Sequence, residues 1–294
     1  MKAWFLIDAV LLGAILVIIW LLFHRQRLLS ALAAFSKGRL NRGQLAVTWI
    51  ASGLLFLTIW DVLSRLEPEG INKVPGPVQT VAAAWRLLVS GPLIGEACIS
   101  CLRVVIGFTA ASIVGVGLGL AAGSFLLVNR LVVPVNSFLR YIPPTAFISL
   151  LIVYFGIGET YKYAVIFLGV IFFITQMVID VVEDLDKRYL ELALTSGFSN
   201  WRIFREVVVL SSWPRVLDVL RINLSAAWTF LVAAELIGAE EGLGHLIAVS
   251  QRYLRIDELY VGILSFGVIG VVTDRLLDLV GRRLFRWHYV RIKQ

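Results

Sequence analysis

The sequence predicts an all-α integral membrane protein, a polytopic helical bundle of about seven spans, and three observations predict it. Of 294 residues, 59% are hydrophobic and 16% charged, with a mean hydropathy of +0.85; soluble domains run to roughly 45–50% apolar and about 25% charged. Apolar runs recur at the length a spanning helix needs, about 20 residues. The net charge of +7 gathers in a few loops, as the excess of Lys and Arg on cytoplasmic loops requires. That distribution argues against nucleic acid as the partner of the basic residues.

The runs follow in order. Residues 4–23 (WFLIDAVLLGAILVIIWLLF) lack the small-residue cleavage site of a signal peptide and read as a retained span. Residues 24–43 carry Arg25, Arg27, Lys37, Arg39 and Arg42 and no acid, so this loop is expected in the cytoplasm, with the N-terminus outside. Residues 45–63 span back out. Residues 67–77 (EPEGINKVPGP) are turn-rich. Val78, Val81, Trp85 and Leu88 then fall on one face of an amphipathic helix, expected to lie at the outer surface.

After Arg103 come twenty-six uncharged residues, 104–129, with Gly115, Gly117, Gly119 and Gly123 spaced for close helix packing. The stretch Gly117-Leu-Gly119-Leu-Ala-Ala122 matches a relaxed dinucleotide fingerprint, but without a preceding strand the match carries no weight. Arg130 and Arg140 flank an inner turn. Pro143-Pro144 opens the next apolar run, to Gly158; the pair either caps a helix or breaks one against a water-filled cavity. Residues 159–162 read as a short external turn, 163–179 as an inward span, 216–239 as an outward span, 238–257 as an external segment and 259–281 as the last inward span. The tail 282–294 (RRLFRWHYVRIKQ) reads as a basic, aromatic cytoplasmic anchor at the lipid surface.

Enzyme chemistry is missing. There is no G-x-x-x-x-G-K-[ST], G-x-S-x-G or H-E-x-x-H, so no catalytic residue and no nucleotide cofactor is expected on this chain. The acid pairs Glu240–Glu241, Glu183–Asp184 and Asp184/Asp186 read as solvated loop groups. Cys98 and Cys101 read as small apolar helix residues. His24, His245 and His288 are too dispersed to suggest a metal site.

Two features carry function. Residues 180–215 form a charged stretch, with Glu191, Ala193 and Gly197 followed by Val207 and Val209. A polar helix–Gly–helix unit between spans has no lipid to bury against, so a partner outside the membrane is expected to hold it. The second feature is ionisable residues inside spans, each a functional hypothesis because a charge at the bilayer centre costs roughly 2.5–3.5 kcal/mol. Glu235 either lines a pathway or serves as a buried structural partner. Arg221, Arg103 and Arg140 lie near span ends, within reach of the interface by snorkelling. Arg221, Arg140, Pro143 and Pro144 join Glu235 as candidate pathway residues.

These residues resemble the inner-membrane permease subunit of bacterial ABC importers. The stretch 180–215 is similar to that family's E-A-A-x3-G-x9-I-x-L-P loop: Glu191, Ala193 and Gly197 match, Leu192 replaces an alanine, Val207 and Val209 stand for Ile and Leu, and Leu210 holds the proline position, with Pro214 four residues later. VPGPVQTVAAAWRLL at 74–88, RYIPPTAFISLLIVYFGIG at 140–158 and AAELIGAEEGLGHLI at 233–247 resemble the permeases for nitrate, bicarbonate, taurine and aliphatic sulfonates. The resemblance covers about residues 44–290. It implies a six-span importer core plus one extra N-terminal span, divided as 1–43 (extra span and basic loop), 44–100 (first core span and external amphipathic helix) and 101–294 (permease core). It further implies a multi-pass protein of the bacterial inner membrane, with its C-terminus cytoplasmic. The implied partners are ATP-binding-cassette ATPase subunits that hold the ATP and Mg, a second permease subunit in a homodimer, a periplasmic substrate-binding protein and membrane lipid. The rival expectation is an ion-coupled secondary transporter, which should show internal repeats and paired discontinuous helices.

Overall fold

The computed structural model describes residues 42–66 and 74–286, all-helical with no strand among them. The expected span 4–23, the basic loop up to Asn41, residues 67–73, His24 and the tail from Trp287, with His288, lie outside the described residues. The chain divides into two compact units, Met1–Trp85 and Arg86–Gln294.

In the first unit, α1 (Arg42–Arg65) covers the second expected span. The indole of Trp60 donates to the Pro75 carbonyl at 3.0 Å, tying the segment before the next helix back to α1. That helix, α2 (Pro77–Ser90), starts on a proline, whose fixed φ and missing N–H suit a first turn. Its anticipated apolar face is present and exposed, with Val78 at 80% and Val81 and Trp85 at 69%.

The second unit contains α3 (Pro92–Ser124), α4 (Leu126–Arg140), α5 (Phe147–Phe155), α6 (Glu159–Glu183), α7 (Lys187–Thr195), α8 (Asn200–Gly238), α9 (Leu243–Arg252) and α10 (Ile256–Leu284). Its core lies where α3, α6 and α8 meet, around Val104, Phe108, Ile166, Val170, Ile174, Ala227 and Leu231.

Glycine decides how close α3 comes to α6. A Cβ on Gly119 would stand 2.6 Å from Val178 Cβ and 2.9 Å from the Thr175 carbonyl oxygen; on Gly123 it would stand 2.7 Å from Val182 Cβ. Gly107 and Gly115 meet Ile166 and Ile174 in the same way, so the packing seam begins earlier than the expected glycine series. Gly117 faces open space. In lipid, where burial drives helices together weakly, such backbone approach supplies the contact. Gly119→Val should therefore cost about 1–3 kcal/mol by overpacking, read as a lower unfolding temperature in detergent, while Gly117→Val leaves it unchanged. Equal melting of the two variants would contradict this seam.

Among the described residues, four helices are long and apolar enough to cross a membrane: Ala46–Arg65, Pro92–Ser124, Glu159–Glu183 and Asn200–Gly238. A bent pair, Leu126–Arg140 with Pro144–Phe155, whose limbs meet at 76°, is apolar enough to be either a fifth, broken span or a re-entrant loop. The double proline stands at this break. Pro143 is extended at the break, and Pro144 opens the short 3-10 turn that leads into the second limb. One expectation needs correction: residues 159–162 are the first turn of α6 rather than a connecting turn. The segment 238–257 contains α9.

Candidate functional site

The stretch 180–215 folds into an elbow. Asp186 caps α7 by accepting from the Arg188 N–H at 3.0 Å. At the other end, the Phe198 N–H reaches the Ala193 carbonyl and the Gly197 N–H the Leu194 carbonyl, each at 3.0 Å. These two bonds, with Gly197 at φ +76°, make a Schellman stop, which needs a left-handed residue at that point. Ser199 then caps α8 by accepting from the Arg202 N–H, and the Arg202 guanidinium lies 4.0 Å from the centre of the Phe198 ring. Ala193 is buried beneath the elbow, whereas Tyr189, Leu192, Leu194 and Trp201 are 53–67% exposed. Glu191 is exposed as well.

Past the elbow the helix widens into a π-helical turn, Ile203–Val209, which holds Val207 and Val209 half-buried. Leu210 continues the helix, and Pro214 sits buried within it. The chain thus re-enters the membrane segment through a widened turn, with no proline stop at Leu210. Arg215 pairs with Asp184 at 2.8 Å, joining the two ends of the stretch.

At the opposite end of α8, Arg103 and Glu235 form a buried ion pair of 2.7 Å, the residues 2% and 1% exposed. The Arg103 guanidinium also donates to both Glu159 carboxylate oxygens at 2.6 Å and to the Glu241 carbonyl at 2.7 Å. Glu235 accepts from the Ser100 hydroxyl at 2.8 and 3.0 Å and from the Gly244 N–H at 2.8 Å. Lys162, itself 3% exposed, reaches Glu159 at 2.7 Å. The Leu243 N–H donates to Ser100 Oγ at 2.9 Å, and the Gly242 N–H to the Glu96 carboxylate. A Cβ on Gly242 would collide with Arg103 and Glu235, and one on Gly244 with Glu235.

This cluster ties α3, α6, α8 and α9 together, and it corrects the expectation for Arg103. Rather than snorkelling, the guanidinium lies buried between these helices, because three protein acceptors replace water; a buried charge persists only when paired and hydrogen-bonded in this way.

Arg221 anchors a third arrangement. It binds Asp274 through two nitrogens at 3.0 and 3.1 Å and Asp278 at 2.7 Å, bridging α8 to α10. Arg282 also pairs with Asp278, at 2.7 Å. Above this bridge, α8 and α10 flank an open groove of about 860 Å³, lined in part by Arg221, Ser225, Trp228, Thr229, Phe266 and Gly267. The structure does not bring the candidate pathway residues together. Arg221 lines the groove; Glu235 belongs to the buried cluster, and Arg140, Pro143 and Pro144 lie at the 76° bend. Ser100, Glu159, Lys162 and Gly242 were not singled out from the sequence; the one local sign was the i, i+3 spacing of Glu159 and Lys162, which faces the pair on a helix.

Cys98 and Cys101 are free thiols. His245 Nδ1 lies 2.8 Å from the Ala239 carbonyl oxygen. Among the described residues no group of three or more His, Cys, Asp or Glu could hold a metal ion.

Comparison with known proteins adds a family. The family model described as "Binding-protein-dependent transport system inner membrane component" matches residues 113–286. A probable ABC transporter permease protein of Brucella melitensis is 35% identical over 222 residues, covering 76% of this chain and 90% of that protein. A putative aliphatic sulfonates transport permease protein of Bacillus subtilis is 29% identical, covering 85% and 91%, and a taurine transport system permease protein of Escherichia coli is 29% identical, covering 80% and 87%. An inward facing MetNI methionine ABC transporter structure has the same fold, with a TM-score of 0.51 at 19% identity over 71% of this chain and 96% of that one. With the apolar helices, the bent pair and the family match in agreement, the chain belongs to the binding-protein-dependent transport system inner membrane components, the permease subunits of ABC transporters.

Proposed function

We propose that this chain is the membrane-crossing subunit of an ATP-driven importer for a small anion, such as an aliphatic sulfonate, taurine, nitrate or bicarbonate. A separate ATPase docks on the elbow at 180–215 and supplies the ATP and Mg. One observation carries the coupling: the elbow is stopped and capped at both joints, yet it presents Tyr189, Leu192, Leu194 and Trp201 to the outside. A rigid polar loop showing a cluster of large apolar side chains is the mark of a protein interface. Glu191, Ala193, Gly197, Val207 and Val209 form or support that surface, and the elbow carries motion of the ATPase into α8.

The small-anion reading rests on the relatives named for sulfonate, taurine and nitrate transport. In this reading two copies pair as a homodimer in the bacterial inner membrane, with seven spans, the N-terminus outside and the C-terminus cytoplasmic. A periplasmic binding protein delivers solute to the outer side. Membership of the permease family favours this over an ion-coupled carrier.

The test is reconstitution of the chain with its ATPase and binding protein in liposomes. Uptake of a labelled aliphatic sulfonate should require ATP and the binding protein. Glu191→Lys should weaken ATPase association about tenfold, or about 1.4 kcal/mol. Uptake driven by an ion gradient without ATP would overturn the proposal.

A further inference from the structure

We infer that a cleft on the inner side of the elbow binds a short aliphatic oxyanion, and that this occupant restrains the elbow, so that accumulated solute slows its own import. The inference rests on the transport reading above and adds to it a second site, on the ATPase side.

The cleft measures about 420 Å³, within the range of small-molecule sites. It is walled by the ends of α3 and α6 and by both limbs of the elbow, α7 and the first turns of α8. α7 divides its surface between two tasks. Lys187, Leu190 and Leu194 stand at i, i+3 and i+7, on one face of the helix, and line the cleft. Leu192 lies two residues past Leu190, about 200° round the helix, and is exposed on the other side. Leu194 borders both faces. An ATPase seated on Tyr189 and Leu192 therefore leaves the cleft face of α7 free.

The cleft is apolar inside and polar at its mouth. Phe125 and Phe204, with ring centres 5.3 Å apart, join Leu185 and Leu190 in a lining suited to an alkyl chain. Most of the nearby charges are spent. Asp184 pairs with Arg215, and Asp186 caps α7 and faces Arg188. Glu183, also on the lining, accepts from Asn129 at 3.5 Å. The Lys187 ammonium and the Asn200 side-chain amide line the cleft with no partner among the described residues. They offer one positive charge and several unused N–H donors, the complement of a sulfonate or carboxylate head. An alkyl chain with an anionic head uses both halves of the cleft. A bare inorganic anion leaves the apolar walls empty, and an apolar solute leaves the donors unused.

The occupant would bridge the elbow to the end of α3, beside the extended residue Phe125 that separates α3 from α4. In the reading above, motion of the ATPase reaches α8 through the elbow. A filled cleft makes the elbow and α3 move as one, and a ligand that fits one arrangement better shifts the population toward it. Solute gathering on the ATPase side thus holds back the step that imports it.

The test begins with titration of alkanesulfonates into the complete permease–ATPase complex, without the binding protein. Hexanesulfonate should bind, and each methylene added between ethanesulfonate and hexanesulfonate should tighten binding about fourfold. Lys187→Glu should weaken binding about tenfold, as loss of a charge-assisted hydrogen bond does, and Asn200→Asp should weaken it less. Uptake is then measured in liposomes with the binding protein outside and hexanesulfonate in the lumen, on the ATPase side. ATP-driven uptake of labelled aliphatic sulfonate should slow several-fold in the wild type and not in Lys187→Glu, whose uptake without lumenal sulfonate stays at the wild-type rate. Binding that is absent, indifferent to chain length or unchanged in both variants would overturn the site, while ATP-driven uptake keeps the transport reading. Slowing that survives Lys187→Glu would overturn the feedback role. A Lys187-dependent response to anionic phospholipid, with none to hexanesulfonate, would give the cleft to lipid and overturn the proposal equally. Absence of ATP-driven uptake in the wild type would overturn the transport reading and the feedback role together, and the titration would still decide the site.

Discussion

Arg103→Ala should leave little folded protein, because it strands the buried Glu235 carboxylate. Glu235 is 1% exposed and would keep only the Ser100 hydroxyl and the Gly244 N–H. Glu159, its side chain 48% exposed, would keep Lys162 and solvent. Removing one partner of a buried ion pair costs about 3–5 kcal/mol, a large part of the stability of most folds. The measurement is thermal unfolding of detergent-purified protein, with the yield of monodisperse material as a second reading. Glu235→Gln should cost less, about 1–3 kcal/mol, because the amide oxygen still accepts from the Gly244 N–H and Arg103 keeps Glu159 and the Glu241 carbonyl as acceptors. Arg103→Lys should fall between them, since an ammonium cannot hold Glu159 bidentately and reach Glu235 together. Wild-type melting of Arg103→Ala would show that the cluster does not hold these helices together.

Gly197→Pro should abolish coupled uptake and leave insertion and folding of the spans intact. Proline fixes φ near −65°, whereas the elbow holds Gly197 at +76° and uses its N–H to close the Schellman stop on Leu194. The substitution removes both the turn and one of its two bonds, so α7 and the start of α8 can no longer keep their angle. Gly197→Ala meets only the left-handed penalty of roughly 1–2 kcal/mol and should retain partial uptake, and Gly197→Asn should retain more, because asparagine tolerates that region. The comparison is ATP-driven uptake against ATP hydrolysis in the same liposomes. Hydrolysis continuing without uptake is the expected result for Gly197→Pro. Normal uptake would remove the elbow from the coupling path.

The sequence showed the helices and the elbow because both depend on near neighbours. Apolar length marks a span within about 20 residues, and a capping residue with a glycine at the right offset marks a helix stop. The Arg103 cluster was illegible for the opposite reason. Its acids lie 56 and 132 residues away, and no local pattern says which of several carboxylates a buried guanidinium will meet. Read alone, Arg103 looked like a residue on its way to the interface. The groove was hidden in a similar way: Ser225 and Thr229 are unremarkable in an apolar run until Gly267 and Phe266 are placed across from them. Glycine spacing gave the correct face of α3 at Gly115, Gly119 and Gly123, and misled at Gly117, because two steps along a helix turn about 200°, onto the opposite side.

The π-helical turn at Ile203–Val209 has a consequence for how the chain tolerates insertions and deletions. Along a regular helix each residue advances the facing by about 100°, so removing one residue between 216 and 222 would swing Ser225 and Thr229 away from α10. A π turn holds a residue in excess of the α-helical repeat. Taking one residue out there would tighten the coil to ordinary pitch and preserve the angular phase between elbow and groove. The widened turn therefore acts as slack between two surfaces that must stay aligned. Single-residue deletions scanned from Ile203 to Ile222 should be survivable at the start of that interval and fatal toward its end.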